Sequence, residues 1–303
     1  MTRRLLLLIA FVIVAAALLF VPIPIGPTYA ARTIEDAGHT PLFFAGTLFV
    51  LAILRHDLRV EGLRLYLLAA LLGGGAGLLS EIIQMPLQRD ASWVDVFADW
   101  VGVLLALMSY LLYDRRAAAD RLLRVTAVLV IAGCLVVYVA PVVSMLRAYA
   151  HRDGQFPVLA SFDSRLELYW IVSYGIRREI RDGALEVEFD APLFPGFSFH
   201  EPVPDWRRYR TLAIDVENPD AALPLKMGIR VHDARHAHTY ADRFNRSFDL
   251  APTERRVLRI PLEEIRRGPR NRLMDMAHIS DVTLFRLRDS PSQRMRLHNM
   301  RLE

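Results

Sequence analysis

The sequence predicts an α+β protein in two parts: a bundle of about five transmembrane helices in residues 1–150, then an antiparallel β-sandwich in residues 155–303. Composition and pattern both indicate this division. Of the 303 residues, 53% are hydrophobic, more than the roughly 45–50% of a soluble globular domain, and the excess lies in the first half. The second half alternates apolar and polar residues, as half-buried strands do.

Five apolar runs in the first half match the needs of a membrane helix, which takes about 20 residues to cross a hydrocarbon core of about 30 Å. They cover residues 5–21, 41–54, 65–83, 97–113 and 122–146. The second run is shorter than a usual span, and an earlier start of its helix stays open. The third contains Gly73, Gly74, Gly75 and Gly77, small residues that let neighbouring helices approach closely.

The arginines between these runs predict how the chain crosses the membrane, because arginine-rich segments stay in the cytoplasm. Such segments alternate with two that hold only Arg32 and Arg89. The arginine-rich segments contain Arg3 and Arg4, then Arg55, Arg59 and Arg64, and then Arg115, Arg116, Arg121 and Arg124. We therefore expect a multi-pass protein of the bacterial cytoplasmic (inner) membrane, with its N-terminus inside and its C-terminal domain outside, in the periplasm.

The first apolar run has a second interpretation. Arg3, Arg4, the apolar stretch and the small residues around Ala30 resemble a cleavable signal peptide. The apolar stretch is longer than the usual 7–15 residues or so of such a peptide, and prolines precede the site of cleavage, so a retained helix is favoured. Cleavage would leave the rest of the topology unchanged.

Nucleic acid is a poor partner for this chain despite its net charge of +4. Lys226 is the only lysine, and no basic stretch is interleaved with aromatic residues, as a nucleic-acid surface would require. The single cysteine, Cys134, lies in an apolar run and does not indicate a redox compartment. No motif predicts a cofactor, whereas membrane lipid is an expected partner.

Polar residues gather at the predicted outer ends of the helices. Glu81 and Gln84 are three residues apart and Asp95 and Asp99 are four apart, so each pair shares a helical face. Such groups near bilayer depth are costly unless paired or hydrated, which makes them candidates for function. The full candidate cluster, in which Asp36 and His39 precede the second span, is Asp36, His39, Glu81, Gln84, Arg89, Asp95 and Asp99.

Three interpretations of this cluster stay open in the sequence. The charges could neutralise one another around Arg89, or the group could be a catalytic site in which His39 takes part in acid–base chemistry. It could also hold a metal, but no compact metal motif is present, so the sequence predicts no metal. Whether the protein is an enzyme is undecided.

The order of these residues resembles the VanZ-like family of membrane domains over roughly residues 5–113. The resemblance is carried by Asp36-Ala37-Gly38-His39, Glu81-Ile82-Ile83-Gln84, Arg89, Asp95 and Gly102. Ala37 stands where the family prefers lysine, and Asp99 stands where it prefers asparagine. The family takes its name from a protein of glycopeptide-antibiotic resistance, but the resemblance implies an architecture more firmly than a reaction.

Short alternating runs bounded by Pro, Asp, Asn and Gly predict the strands of the second half. They cover residues 185–189, 211–216, 225–231, 257–260, 282–287 and 296–302. Because no long amphipathic helix separates them, they favour an antiparallel sandwich. The runs from Asp205-Trp206 through 212–218, 225–233, 240–244 and 260–262 to 279–285 resemble jelly-roll, galactose-binding-like domains of the carbohydrate-binding-module type.

This second resemblance implies a sugar-binding surface with candidate ligand contacts at Trp206, Tyr240, Asp242, Arg243 and Phe244. Aromatic faces combined with Arg and Asp suit hydroxyl-rich ligands. Each candidate has a structural alternative: Trp206 could belong to the core, and Asp242 and Arg243 could form a buried pair. The histidines His232, His236 and His238 lack a zinc spacing and are interpreted as loop residues. No calcium site is predicted.

Together these features predict a membrane protein that recognises or handles cell-envelope glycan or a lipid-linked saccharide. The alternative is a non-enzymatic envelope scaffold whose sandwich binds a protein partner. A small-solute transporter is the weakest interpretation, because the five spans have no internal repeat of the kind found in such folds.

Overall fold

A computed structural model describes residues 2–20, 28–84, 93–114, 119–191 and 193–303. Its contacts divide the chain into two compact units, Met1–Met145 and Leu146–Glu303. The division falls inside the fifth helix, which runs from Arg121 to Gln155. That helix therefore contributes residues to both units.

The first unit is helical. Its elements are α1 (Thr2–Phe20), α2 (Tyr29–His56), α3 (Leu63–Gln84), α4 (Trp93–Tyr113) and the first part of α5 (Arg121–Gln155). Among the described residues, four helices are long and apolar enough to cross a membrane, namely α2, α3 as far as Ile83, α4 and α5. This supports membrane association. The predicted span 5–21 corresponds to α1, but its last residue and several of its side chains lie outside the described residues.

The second helix begins earlier than the predicted span 41–54. Thr28 caps α2, because its side-chain oxygen accepts a hydrogen bond from the Ala31 backbone N–H at 3.1 Å, as N-cap threonines do. Pro41 lies within the helix. Asp36 and His39, which were predicted to precede the span 41–54, both lie inside α2, because the helix begins well before that span.

Glycines bring α3 and α4 close to their neighbours. A Cβ placed on Gly102 of α4 would meet the Thr40 carbonyl oxygen of α2 at 2.3 Å. A Cβ on Gly73 of α3 would meet the Thr47 Oγ1 at 2.8 Å. The absence of side chains at these positions therefore sets the distance between the helices, as small residues do in membrane bundles.

The second unit contains eleven described strands in two antiparallel sheets. The strands are β1 (Val158–Ala160), β2 (Ile171–Tyr174), β3 (Ile176–Arg181), β4 (Ala184–Phe189), β5 (Gly196–His200), β6 (Thr211–Glu217), β7 (Leu225–Asp233), β8 (Phe244–Leu250), β9 (Arg255–Pro261), β10 (Ile279–Arg286) and β11 (Arg294–Leu302), with a short helix, α6 (Leu262–Arg266), after β9. One sheet has the order β3-β4-β11-β6-β9, with β1 beside β11, and the other has the order β2-β5-β10-β7-β8.

Both sheets contribute one apolar face to a common core. Leu185, Ile214 and Leu297 come from the six-stranded sheet, and Ile229 and Leu284 from the five-stranded sheet, all fully buried. The antiparallel strand-rich second half is therefore confirmed, and all six predicted strands are present. The strands β1, β2, β3, β5 and β8 were not predicted. The number of membrane spans and the jelly-roll connectivity stay predictions.

Candidate functional site

The structure brings part of the polar helical cluster together. His39 of α2 and Asp99 of α4 are joined by a hydrogen bond between Nδ1 and Oδ1, 2.9 Å long. Asp99 is fully buried and Glu81 of α3 is nearly so. One side-chain nitrogen of His39 and one carboxylate oxygen each of Glu81 and Asp99 lie within 4.8 Å of one another. Three separate helices therefore converge at one buried polar point.

The other predicted members of this cluster are placed less centrally or not described. Asp36 is exposed on α2, and Asp95 lies one helical turn before Asp99, partly buried. The Oδ1 atom of Asp95 is buried and has no hydrogen-bond partner among the described residues. The Gln84 side chain and Arg89 lie outside the described residues.

Two of the five predicted sugar contacts are core residues. Trp206 is 0% exposed, and its indole N–H donates a 2.8 Å hydrogen bond to the Val203 carbonyl. Phe244 pairs with Val231 in the strand register and faces the same core. The roles predicted for both in ligand contact are wrong, because neither ring has an open face on which a sugar could stack.

Asp242 is engaged by Arg272 and not by its sequence neighbour Arg243. The Arg272 Nε–H donates to Asp242 Oδ1 at 2.6 Å, and the Nη2–H of the same guanidinium donates to Asp233 Oδ1 at 2.7 Å. These hydrogen bonds raise the pKa of Arg272 and lower the pKa of Asp242. The structural alternative, in which Asp242 and Arg243 form a buried pair, is therefore wrong, and Arg243 is left without that carboxylate; ligand contact by Asp242 stays a prediction.

The register of the five-stranded sheet defines a second surface, opposite the core. On this side Asp281 pairs with His200 and His232, and Thr283 pairs with Ser198 and Arg230. The same side carries Phe285, which pairs with Gly196 and Gly228, and Tyr174, which pairs with Gly196. We call this surface, which consists of Tyr174, Ser198, His200, Arg230, His232, Asp281, Thr283 and Phe285, the outer face of the five-stranded sheet.

Phe285 lies flat on this face because two glycines leave room for its ring. A Cβ on Gly228 of the neighbouring strand would meet the ring at 2.3 Å, and a Cβ on Gly196 would meet the Phe285 Cβ at 2.8 Å. The guanidinium carbon of Arg230 stands 5.3 Å from the ring centroid. The face therefore holds a half-buried aromatic platform with a cation beside it.

Two arginines at this face, Arg230 and Arg243, lie against aromatic rings. Neither Nε atom donates a hydrogen bond to a described residue. Arg243, which precedes β8, places its guanidinium carbon 5.3 Å from the centroid of the exposed Tyr240 ring. The Nε atoms of Arg230 and Arg243 are buried without a hydrogen-bond partner in the described part of the chain. Burial, and then the charge of Arg230, lowers the pKa of Arg243. A buried donor left unsatisfied costs about 1–3 kcal/mol, so an acceptor supplied from outside would be favoured here once a side-chain movement exposes these Nε atoms.

The centre of the face is a buried hydrogen-bond chain. The Ser198 and Thr283 hydroxyl oxygens are 2.9 Å apart, and the Thr283 hydroxyl donates to Asp281 Oδ1 at 2.6 Å. Burial raises the pKa of Asp281 and lowers the pKa of His232. The prediction that His232 is a loop residue is wrong, because it lies in β7, with its ring stacked on that of His236 at 4.4 Å.

The opposite surface of the sandwich carries a cleft of about 550 Å³ lined by arginines and glutamates of β3, β4 and β11. Several of these charges are already paired: Arg181 Nη2 donates to Glu179 Oε2 at 2.9 Å, and Arg296 Nε donates to Glu186 Oε1 at 2.9 Å. A charged ligand would have to replace ion pairs there. We therefore place the candidate ligand site on the outer face of the five-stranded sheet.

Tyr240 and Arg243 are the predicted contacts that the structure brings to this site, and Tyr174, Arg230 and Phe285 were missed. The signal for Arg230 and Phe285 was present, because both occupy alternate, non-core positions of predicted strands. Tyr174 lies in β2, a strand that the sequence pattern did not reveal.

No family model matches the chain, and no curated protein matches it. The VanZ-like resemblance of the helical half therefore stays a prediction. Solved structures do match, at low identity. One is the family 11 carbohydrate-binding module from Clostridium thermocellum in complex with a β-1,3-1,4-mixed-linked tetrasaccharide, at 15% identity and TM-score 0.38, covering 48% of this chain and 93% of that one.

Two further matches are of the same kind. A point mutant of a carbohydrate binding module family 29 has 16% identity and TM-score 0.31, covering 47% of this chain and 86% of that one. An exo-β-agarase has 15% identity and TM-score 0.38 over 48% of this chain. The match spans only 24% of the agarase chain. The neighbours of this chain thus include carbohydrate-binding modules with a β-sandwich.

Proposed function

We propose that this protein recognises a cell-envelope glycan or lipid-linked saccharide that carries an acidic group, and that the outer face of the five-stranded sheet is its binding surface. The observation that carries the proposal is the pair Arg230 and Arg243, whose buried Nε atoms have no hydrogen-bonded acceptor among the described residues, set beside aromatic rings. Guanidinium groups bind carboxylate and phosphate in a two-pronged geometry, through charge-assisted hydrogen bonds.

The aromatic and polar groups of the face suit a sugar ring. Phe285 and the rings of Tyr174 and Tyr240, which are 40% and 66% exposed, offer apolar surface to the C–H face of a sugar. His200, whose side chain is 48% exposed, offers a ring nitrogen as donor or acceptor to its hydroxyls. A single sugar ring buries little area, so we expect modest affinity, of the order of 10 µM to 1 mM, about −4 to −7 kcal/mol.

The helical unit gives this function its location in the proposal. We place the chain in a bacterial inner membrane, as a multi-pass protein with a VanZ-like domain, its N-terminus inside and its sandwich outside. The support is the arginine alternation between the apolar runs. A reporter fused after Glu303 that works only outside the cytoplasm is expected to be active; activity of a cytoplasm-only reporter there would exclude five spans.

Binding is measured with the full chain in lipid nanodiscs, by titration calorimetry with a uronate-containing oligosaccharide and with its neutral counterpart. We expect the acidic sugar to bind and the neutral one to bind at least about tenfold more weakly. Arg230→Met and Arg243→Met each remove a charge-assisted hydrogen bond of about 1.5–3 kcal/mol and are expected to weaken binding by roughly 10- to 100-fold.

The matched control is Arg208→Met, which removes the same charge from an exposed loop position before β6 and is expected to leave binding unchanged. Equal loss in all three variants would reduce the effect to net charge. If no acidic or neutral envelope saccharide gives heat with the parent protein, the scaffold function, in which the sandwich binds a protein partner, replaces this proposal.

A further inference from the structure

The convergence of α2, α3 and α4 has a chemical meaning that is independent of the saccharide face. One imidazole nitrogen and two carboxylate oxygens, from His39, Glu81 and Asp99, lie within 4.8 Å of one another. Each residue comes from a different helix, so the grouping depends on how the bundle packs. Asp99 is 0% and Glu81 is 3% exposed, which keeps two acids inside a predominantly apolar bundle.

A second observation concerns the carboxylate of Asp99 alone. Its Oδ1 bonds His39, whereas its Oδ2 is buried and has no hydrogen-bond partner in the described parts of the chain. This Oδ2 points at α3, where a Cβ on Gly77 would meet it at 2.7 Å. Glu81 follows Gly77 by four residues and therefore occupies the same helical face. The unsatisfied oxygen thus faces the helix that carries the other acid.

We propose that His39, Glu81 and Asp99 bind a divalent transition metal ion. Buried charges are tolerated when they are paired or coordinate a metal, and a cation here would satisfy the Asp99 Oδ2 atom, which has no hydrogen-bond partner among the described residues. Imidazole suits zinc, iron, copper and nickel, while carboxylate suits the harder ions such as manganese. A set of one nitrogen and two oxygens therefore favours a borderline ion, and zinc is the first probe.

Metal binding would require a small rearrangement of the three side chains. Zinc–nitrogen and zinc–oxygen bonds of about 2.0–2.2 Å place tetrahedral ligands roughly 3.3 Å apart. The Nδ1 to Oδ1 separation of 2.9 Å is shorter than this and would have to lengthen slightly, whereas the Glu81 oxygen, which lies within 4.8 Å of the other two atoms, would move closer. Three protein ligands would leave the fourth position open to water or substrate, as in catalytic zinc sites.

The test uses the full chain in nanodiscs, stripped with a chelator and then titrated with Co²⁺ and with Zn²⁺. We expect the parent to bind one equivalent that gives the visible absorption of cobalt bound by nitrogen and oxygen. His39→Ala, Glu81→Gln and Asp99→Asn are each expected to lose this equivalent, with affinity lower by at least roughly 100-fold, since even outer-shell partners of a metal contribute about 10–100-fold.

His56→Ala, at the exposed end of the same helix α2, is the control for histidine loss and is expected to keep the site. A second pair of variants leaves all three ligands intact. Gly77→Ala pushes a methyl group against Asp99 Oδ2, whereas a Cβ on Gly75, one half-turn earlier, meets nothing within 4 Å. We expect weaker cobalt binding in Gly77→Ala and parent-like binding in Gly75→Ala.

Two outcomes would overturn the proposal. One is a parent protein that takes up no cobalt or zinc. The other is an equivalent that persists in His39→Ala and Glu81→Gln, which would assign it to other histidines of the chain. Circular dichroism and gel filtration identify variants that fail to fold, and if Asp99→Asn is among them, the remaining ligand variants and the glycine pair decide the question.

Discussion

The two outer faces of the sandwich differ in how their arginine charges are paired. On the six-stranded sheet, cross-strand ion pairs neutralise several of the arginines: Arg255 Nη2 lies 2.8 Å from Asp215 Oδ2, and Arg296 lies against Glu186. On the five-stranded sheet, Arg230 and Arg243 lie against the rings of Phe285 and Tyr240. A face whose charges are satisfied internally gains little from a ligand, whereas a face with unsatisfied donors gains much.

Arg272 maintains this difference. It holds Asp242 and Asp233 together, so the acid that precedes Arg243 in sequence is not available to neutralise it. The hydrogen bonds of Arg272 therefore stabilise the loop before β8 and, at the same time, keep the outer face of the five-stranded sheet cationic. Because Arg272 pairs with the acids Asp233 and Asp242, those acids do not pair with Arg243.

The largest effect is expected from Arg272→Met. It leaves the fully buried Asp233 carboxylate without its cation, and breaking a buried pair on one side costs roughly 3–5 kcal/mol. Because Asp233 keeps hydrogen bonds from the backbone N–H groups of Arg235 and Asp275, we expect a loss near the lower end, about 3 kcal/mol. Thermal unfolding is the measurement. Asp242 is also released toward Arg243, so binding of the acidic saccharide should weaken; unchanged stability and binding would contradict both roles.

The same interactions predict a pH dependence. Burial raises the pKa of Asp233, but the hydrogen bonds from Arg272 and from the backbone outweigh it and leave the pKa below its ordinary value, and Arg272 likewise lowers the pKa of Asp242. Acids with a lowered folded pKa stabilise the fold above their ordinary pKa of about 4 and lose that contribution as pH falls. The difference in melting temperature between the parent and Arg272→Met should therefore shrink as the pH falls from about 5 to about 3. A difference that stays constant with pH would contradict this role of the two acids.

Gly228→Ala tests the aromatic platform. The new methyl group would meet the Phe285 ring at 2.3 Å, and overpacking of this kind costs about 1–3 kcal/mol. We expect a lower melting temperature and weaker saccharide binding, because the ring must tilt away from the sheet. Gly154→Ala, where a Cβ meets nothing within 4 Å, is the control and should change neither property for the worse.

The smallest effect is expected on the outer face of the six-stranded sheet. Asp215→Asn breaks the ion pair with Arg255, whose side chain is 54% exposed, and exposed pairs contribute about 0.2–1 kcal/mol. Stability should fall by less than about 1 kcal/mol, and saccharide binding should not change. A loss of binding in this variant, with binding retained in Arg243→Met, would move the ligand site to the six-stranded sheet.

Local patterns were enough to predict much of this molecule. Apolar runs of about 20 residues and period-2 alternation depend only on neighbouring residues, so the four helices able to cross a membrane and the six predicted strands were readable. One of the missed strands, β5, has a different pattern. In β5, four of the five residues are buried, because the five-stranded sheet has its core on one side and a crowded outer face on the other.

The site was less predictable, because the type of a residue does not show whether its side chain faces the core or the solvent, or which residue it contacts. Trp206 and Phe244 have the aromatic character of sugar contacts, yet both lie in the core. Asp242 and Arg243 are adjacent in sequence, yet the acid bonds an arginine 30 positions later. Pairings of this kind depend on the folding of distant segments against one another.

The sequence by itself determined which half of the chain is helical and which is strand-rich, because hydrophobic period and run length are local properties. It also named Tyr240, Arg243, His39, Glu81 and Asp99 as residues of interest. Only the tertiary structure decided that the last three converge from three helices, and that Arg230 and Phe285 stand on one face with Arg243. Charge partners are chosen by proximity in space, and proximity in space is set by the register of strands and the packing of helices.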